Sequence, residues 1–202
     1  MYNKLSIQFL NGFFDRMSDV VRYSWTKVLK KENLAEHSYY VSIISDCIVE
    51  DIEKNFEIKI DKYKVLKYAL YHDIEEIFTW DIVSPVKYKS EKLRQELEKV
   101  GYLILEEEIQ KSFPKHIANM IINTHKDYEE HKQENLENMI VKFADIIQAI
   151  SYTISEQKLW NTYLQHVTQN LINILKNKYW NTEYFSAYVE EILEFLYSNN
   201  YL

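Results

Sequence analysis

An all-α fold is what this sequence predicts, and three observations carry the expectation. Turn-forming residues are scarce: 202 residues hold two glycines, Gly12 and Gly101, and two prolines, Pro85 and Pro114. Sheets joined by tight turns use many more of both. Apolar residues recur at helical spacing along most of the chain. Hydrophobic residues make up 47% of it, enough for one sizeable core, and the length fits a single domain over residues 1–202. Seventeen tyrosines and nine phenylalanines supply bulk that leucine and isoleucine would otherwise provide.

Taken in order, the first helix is expected from Leu5 to about Lys30, on the spacing of Ile7, Leu10, Phe13, Phe14, Met17 and Val21. Asn33 and Glu36 have the spacing of a capping box and predict a second helix, which runs from Asn33 to about Asn55. Asp61 caps a third that carries Leu66, Leu70 and the pair His72-Asp73 and ends near Phe78. Pro85 makes an irregular loop of Thr79 to Lys89. Helices then cover 90–111, 115–127, 135–158, 160–177 and 181–197. The polar run Lys126 to Lys132 reads as a solvated connection between two of them.

Charge and cysteine content exclude several function classes. A net charge of −7 leaves no surplus cations to neutralise a long polyanion, so no nucleic-acid polymer is expected as partner. A small phosphorylated substrate stays compatible, because a metal supplies positive charge locally. Cys47 stands alone, which forbids an internal disulfide and fits a reducing cytoplasm. The first residues lack the apolar region and cleavage site of a signal peptide, and no apolar run is long enough to span a bilayer. A soluble cytoplasmic protein with no membrane partner is expected.

The residues with chemistry are His37, the adjacent His72-Asp73, and Asp145. At consecutive helical positions an imidazole and a carboxylate point about 100° apart, so they grip one ion only with ligands from other helices. His37 precedes His72 by 35 residues (72 − 37) and Asp145 follows Asp73 by 72 (145 − 73), so each lies on its own helix. A helical bundle aims such residues at one point. Asp145 sits within the apolar run Ile140 to Ile150, where an unpaired acid is costly. A mixed nitrogen and oxygen site suits Mn, Fe, Co or Zn rather than a closed structural zinc. Glu76 lies one helical turn beyond His72 and so faces the same cleft.

These residues resemble a known family. His37, His72-Asp73 and Asp145 match the signature of the HD-domain metal-dependent phosphohydrolases. The segments Glu32-Asn33-Leu34-Ala35-Glu36-His37-Ser38, Tyr71 to Tyr88 and Val141-Lys142-Phe143-Ala144-Asp145 are more similar still to the bacterial 5'-deoxynucleotidases of the YfbR type. A bare His-Asp pair is a weak signal; three segments in order and at compatible spacing are a strong one. The resemblance implies an HD-type helical bundle and a hydrolase that releases phosphate from (deoxy)nucleoside 5'-monophosphates. It implies His37, His72, Asp73 and Asp145 as ligands of a divalent transition metal, Co or Mn or similar, with Zn, Fe or Mg as alternatives. It implies Glu76 and Asp81 as catalytic acids, and Arg22, fifteen residues before His37 (37 − 22), as the arginine that orients phosphate. Asp73, Asp81 and Ser84 fall in nucleotide-contacting positions, and a homodimer or higher homo-oligomer is implied.

Two positions depart from the family pattern. Tyr23 stands where the family has a tryptophan whose bulk excludes the ribose 2'-hydroxyl. Trp80 stands where it has a glycine, just before Asp81. Both are placed at the substrate, where they bear on sugar and base preference. The runner-up activity is a deoxynucleoside triphosphohydrolase of the dATPase kind, which shares the metal ligands. A non-catalytic nucleotide-binding HD protein is the rival from another class, and Glu76 and Asp81 argue against it.

The plainer readings apply elsewhere. His125 reads as a helix-terminal histidine near solvent, and Glu75 as a solvated neighbour of Glu76. His116, His131 and His166 read as surface residues, and Lys87 as an exposed loop lysine. The aromatic set Trp160, Tyr163, Tyr179, Trp180, Tyr184, Phe185 and Tyr188 reads as core or subunit interface.

Overall fold

The computed structural model describes residues 5–87, 89–131 and 135–201. Its helices are α1 (Leu5–Leu10), α2 (Leu34–Phe56), α3 (Lys62–Tyr71), α4 (Glu76–Thr79), α5 (Ser84–Lys87), α6 (Glu91–Ser112), α7 (Lys115–Glu130), α8 (Leu136–Lys158), α9 (Gln165–Tyr179) and α10 (Ser186–Ser198). A 3-10 segment, Phe14–Ser18, follows α1. The expected all-α class holds among the described residues, and none of their helices is long and apolar enough to cross a membrane.

Side-chain caps explain the helix starts that the sequence announced. At α2 the Asn33 side chain accepts from the Glu36 amide at 2.9 Å, and Glu36 accepts from the Asn33 amide at 3.2 Å. That is the capping box read from the sequence. Asp61 caps α3, Ser90 caps α6 and Asn135 caps α8 in the same way.

The first helix is much shorter than expected. Gly12 adopts φ +65, and a Cβ there would meet Asp15 Oδ2 at 2.7 Å, so α1 stops at a position that only glycine fills easily. Beyond the 3-10 segment Val21 bridges Asn33 in antiparallel fashion, and a turn follows at once. Arg22 is therefore presented from a bridge and not from a helix.

The third helix also stops early, at Tyr71. His72 Nδ1 donates to the Ala69 carbonyl at 2.9 Å and competes for the acceptor that the Asp73 amide would use in a further turn. From there the chain tightens into i→i+3 bonds, Ile74 to Tyr71 at 3.3 Å and Glu76 to Asp73 at 3.1 Å. The expected loop after Thr79 contains one helical turn, α5, with Pro85 in its first turn where its missing N–H is harmless. The polar run from Lys126 is helical through Glu130, because Tyr128 is buried and Asp127 accepts from the Tyr68 hydroxyl. Its end at Lys132 lies outside the described residues. Helix α9 begins later than expected, since Trp160 takes φ 64.

Among the described residues the interior holds a small apolar cluster of Tyr23, Tyr152 and Leu164 and two large ones. One gathers Val41, Val49 and Ile52 of α2, Val65 and Ala69 of α3, Phe143 and Ile150 of α8, and Ile172 and Val189 of α9 and α10. The other gathers Phe13, Val20, Leu34, Ile74, Ile77, Leu105 and Ile121. The chain crosses between the two large clusters at three places, from Leu34 to Val41, from Ala69 to Ile74 and from Ile122 to Tyr128. His37 lies on the first crossing and His72-Asp73 on the second. Of the aromatic set, Tyr179 and Phe185 are core, whereas Trp160 is 94% exposed.

Candidate active site

At these crossings four predicted ligands converge. His37 Nε2 lies 3.2 Å from His72 Nε2 and 3.3 Å from Asp145 Oδ1. Asp73 Oδ2 lies 3.1 Å from His72 Nε2 and 3.7 Å from His37 Nε2. Both imidazoles are buried, whereas the Asp73 and Asp145 side chains keep 23% and 13% exposure, so the centre opens on its carboxylate side.

The surroundings fix which nitrogen faces inward. Gln148 donates from Nε2 to Glu32 Oε1 at 2.5 Å, which turns its amide oxygen toward His37 Nδ1 at 2.6 Å. His37 must then carry its hydrogen on Nδ1, as His72 does toward Ala69. Both Nε2 atoms then point inward at 3.2 Å, a contact that takes either a proton on one of them or a cation between them. His37, His72 and Asp145 bring ligand atoms within 4.8 Å of one another, with Asp73 beside the two imidazoles, and this nitrogen and oxygen set fits a divalent metal such as Mn, Fe, Co or Zn.

Charge balance supports the same centre. Burial alone would raise the Asp73 and Asp145 carboxyls, but His72 beside Asp73 and Lys142 beside Asp145 hold both well below the usual range. The Lys142 ammonium is 2.6 Å from Asp145 Oδ2. Burial and the Arg22 charge lower His37, while Asp73 lifts His72 against its burial. Burial and the nearby Asp73 push Glu76 well above the carboxylate range, and its Oε2 is enclosed without a hydrogen-bond partner. Glu76 therefore takes up a proton more readily than an exposed carboxylate does.

Arg22 joins the centre from the Val21–Asn33 bridge. Its Nη1 lies 3.5 Å from Asp73 Oδ2 and its Nε lies 3.5 Å from Glu32 Oε2. Burial opposes its charge, but Tyr23 and the carboxylates of Glu76, Asp73 and Asp145 raise its pKa above the ordinary value. Tyr23 is buried at φ 55, and its amide donates to Asp81 Oδ2 at 3.1 Å, which ties the Arg22 segment to the loop before α5. Trp80 is 60% exposed and has φ 61 and ψ 170, a region that glycine enters freely and other residues only under strain. It lines a recess with Glu76, Ile82 and Leu97. The side chain of Ser84, and all of Tyr88, lie outside the described residues.

Two plain readings need correction. His125 is buried, and its Nε2 lies 2.8 Å from Glu75 Oε2. Neither is a solvated surface group; α7 and the turn before α4 are joined through them. Sequence reasoning also missed Glu32, Gln148, Tyr152 and Glu156. A signal was available: Asp145, Gln148, Tyr152 and Glu156 recur three or four residues apart in an otherwise apolar helix, which puts them on one face.

A family model of the YfbR-like 5'-deoxynucleotidases matches residues 9–194. The chain belongs to the YfbR-like 5'-deoxynucleotidase family. Among curated relatives of this family member, a 5'-deoxynucleotidase of Pasteurella multocida is 26% identical over 183 residues, 87% of each chain. The 5'-deoxynucleotidase YfbR of Escherichia coli is 25% identical over 144 residues, 70% of this chain and 69% of the relative. Solved structures agree on the fold. An HD-domain phosphohydrolase of Listeria innocua superposes with a TM-score of 0.79 at 22% identity, over 94% of this chain and 90% of its own. The cyanophage S-2L HD phosphohydrolase DatZ, solved with dA and one catalytic Zn2+ ion, gives a TM-score of 0.56 at 17% identity over 92% of each chain. The family member is thus an HD-type helical bundle.

Proposed function

We propose that this YfbR-like family member is a metal-dependent phosphomonoesterase that hydrolyses (deoxy)nucleoside 5'-monophosphates to nucleoside and phosphate. The observation that carries this reading is the pair of inward Nε2 atoms, 3.2 Å apart and each held by a hydrogen bond behind it, with the Arg22 guanidinium at their open side. His37, His72, Asp73 and Asp145 would hold the ion, with Co or Mn preferred and Zn, Fe or Mg as alternatives. Such an ion acts as a Lewis acid toward a phosphoryl oxygen and lowers the pKa of water in its coordination sphere.

The protein's own residues supply the rest. Arg22 offers a planar fork that grips two phosphate oxygens at once, and its neighbours keep it charged. Glu76 holds or accepts a proton at its unpartnered Oε2 as the nucleophilic water is deprotonated. Asp81 orients the leaving 5' oxygen from the loop that its bond to the Tyr23 amide fixes. Tyr23, Trp80 and Ser84 border the sugar and base, so the two departures from the family pattern set sugar and base preference there. A homodimer is the assembly expected from the family, the cytoplasm its expected location, and a nucleotide its small-molecule partner.

Single substitutions test the assignment. Glu76→Ala lowers kcat by roughly 10²–10⁴-fold, the usual weight of a general acid or base, and Asp73→Ala abolishes phosphate release. Unchanged turnover in either folded variant would sink the reading. Tripolyphosphate released from dATP, with monophosphates refused, would move the chain to the triphosphohydrolase reading.

A further inference from the structure

One buried carboxylate has no place in that chemistry. Glu156, near the C-terminal end of α8, is fully buried. Its two oxygens accept from three N–H groups: the Leu29 amide at 2.8 Å, the Lys30 amide at 2.7 Å and Asn161 Nδ2 at 2.5 Å. Asn161 in turn donates to the Lys27 carbonyl at 2.9 Å. One helical turn earlier the Tyr152 hydroxyl donates to the Lys30 carbonyl at 2.7 Å, and one turn before that Gln148 donates to Glu32. Gln148, Tyr152 and Glu156, successive positions on one stripe of α8, therefore all reach the same stretch of chain, residues 27–32.

That stretch has little else to hold it. None of residues 24–31 is buried, and Leu29 is 65% exposed. Half-buried Val28, packed near Tyr152 and Leu164, is its apolar anchor. Yet the loop closes the Val21–Asn33 bridge, whose stems carry Arg22 and Glu32, the guanidinium at the metal centre and the carboxylate that braces it. Burying a carboxylate is costly unless hydrogen bonds offset it, and here three aimed donors do so while tying down a loop with little apolar anchorage. The Tyr23 ring stacks on the Tyr152 ring at 4.9 Å and 10°, so the same helix face sets the residue after Arg22 as well.

We propose that Glu156 is a positioning residue for Arg22: it fastens the 27–32 loop to α8 and thereby fixes the guanidinium where a substrate phosphate is gripped. The proposal rests on the phosphomonoesterase reading for its catalytic consequence but not for its local geometry. Glu156→Gln keeps the shape and sets an NH2 against the loop amides. It lowers kcat/KM for deoxynucleoside monophosphates by roughly 10–100-fold, the scale of an ångström misplacement of a binding group, and leaves bound metal unchanged.

A double-mutant cycle with Arg22→Ala decides the matter. If Glu156 acts through Arg22, Glu156→Gln costs less than about twofold more in the Arg22→Ala background, because the effect is already lost. Equal losses in both backgrounds would overturn the proposal and leave Glu156 as a general support of the fold. The same cycle, read on calorimetric binding of inorganic phosphate to the Mn-loaded protein, needs no turnover. Wild-type protein that binds phosphate but hydrolyses no monophosphate would defeat the proposed function while the binding cycle still decides Glu156; wild-type protein that does neither would defeat both. Should Glu156→Gln fail to fold, Tyr152→Phe, which loses only the bond to the Lys30 carbonyl, is expected to show a smaller loss with the same dependence on Arg22.

Discussion

Residues at the centre act in tiers. Glu32 orients Gln148, Gln148 fixes the tautomer of His37, and His37 presents one lone pair inward. Gln148→Leu removes the middle link with little change in volume. Metal affinity should fall by about 10–100-fold, as for other partners behind a metal ligand, measured by competition with a chelating dye. Trp80 calls for the opposite expectation. At φ 61 and ψ 170 a tryptophan is strained by about 1–3 kcal/mol, and glycine's greater unfolded entropy returns up to about 1 kcal/mol of that. Trp80→Gly should therefore raise stability to urea by about 1–2 kcal/mol. If Trp80 walls the base, the same change raises KM, so stability and affinity move apart. A fall in both would mean that the indole is structural.

Among the elements, α2 and α8 matter most, since each carries one ligand and each starts at a side-chain cap. The capping box at Asn33 adjoins the Val21–Asn33 bridge, so it orders the helix that bears His37 and the stem that follows Arg22. Asn33→Ala should cost about 1 kcal/mol in urea denaturation. Cap and helix were legible in the sequence because each depends on neighbours a few residues apart. What was not legible depends on backbone signs and distant partners. Gly12 was a local stop signal for α1, hidden by the apolar spacing that continues past it, but nothing local announces that Trp160 takes positive φ or that His72 turns back on Ala69. Glu156 and Gln148 meet loop atoms more than a hundred residues away, so their roles show only once α8 and the loop are packed together.

For the whole molecule, the position of the centre matters as much as its ligands. His37 and His72-Asp73 lie where the chain passes between two apolar clusters, and Asp145 comes from the helix that builds the larger one. An ion held there ties both clusters together and binds only the folded chain. A metal supplied at a hundred times its Kd should add about 2.7 kcal/mol of stability, read as a higher Tm that a chelator reverses. The motif residues marked the candidate ligands but not this placement, which follows from how Leu34 and Ile74 pack.

The central claim is that these residues form one metal-dependent monophosphatase. Its most direct test is phosphate release by metal-stripped protein, resupplied with Mn, Co, Zn or Mg, across a panel of ribo- and deoxynucleoside mono- and triphosphates. Release should be absent without metal and restored from deoxynucleoside 5'-monophosphates with a transition metal. Silence across the whole panel with every metal would contradict it.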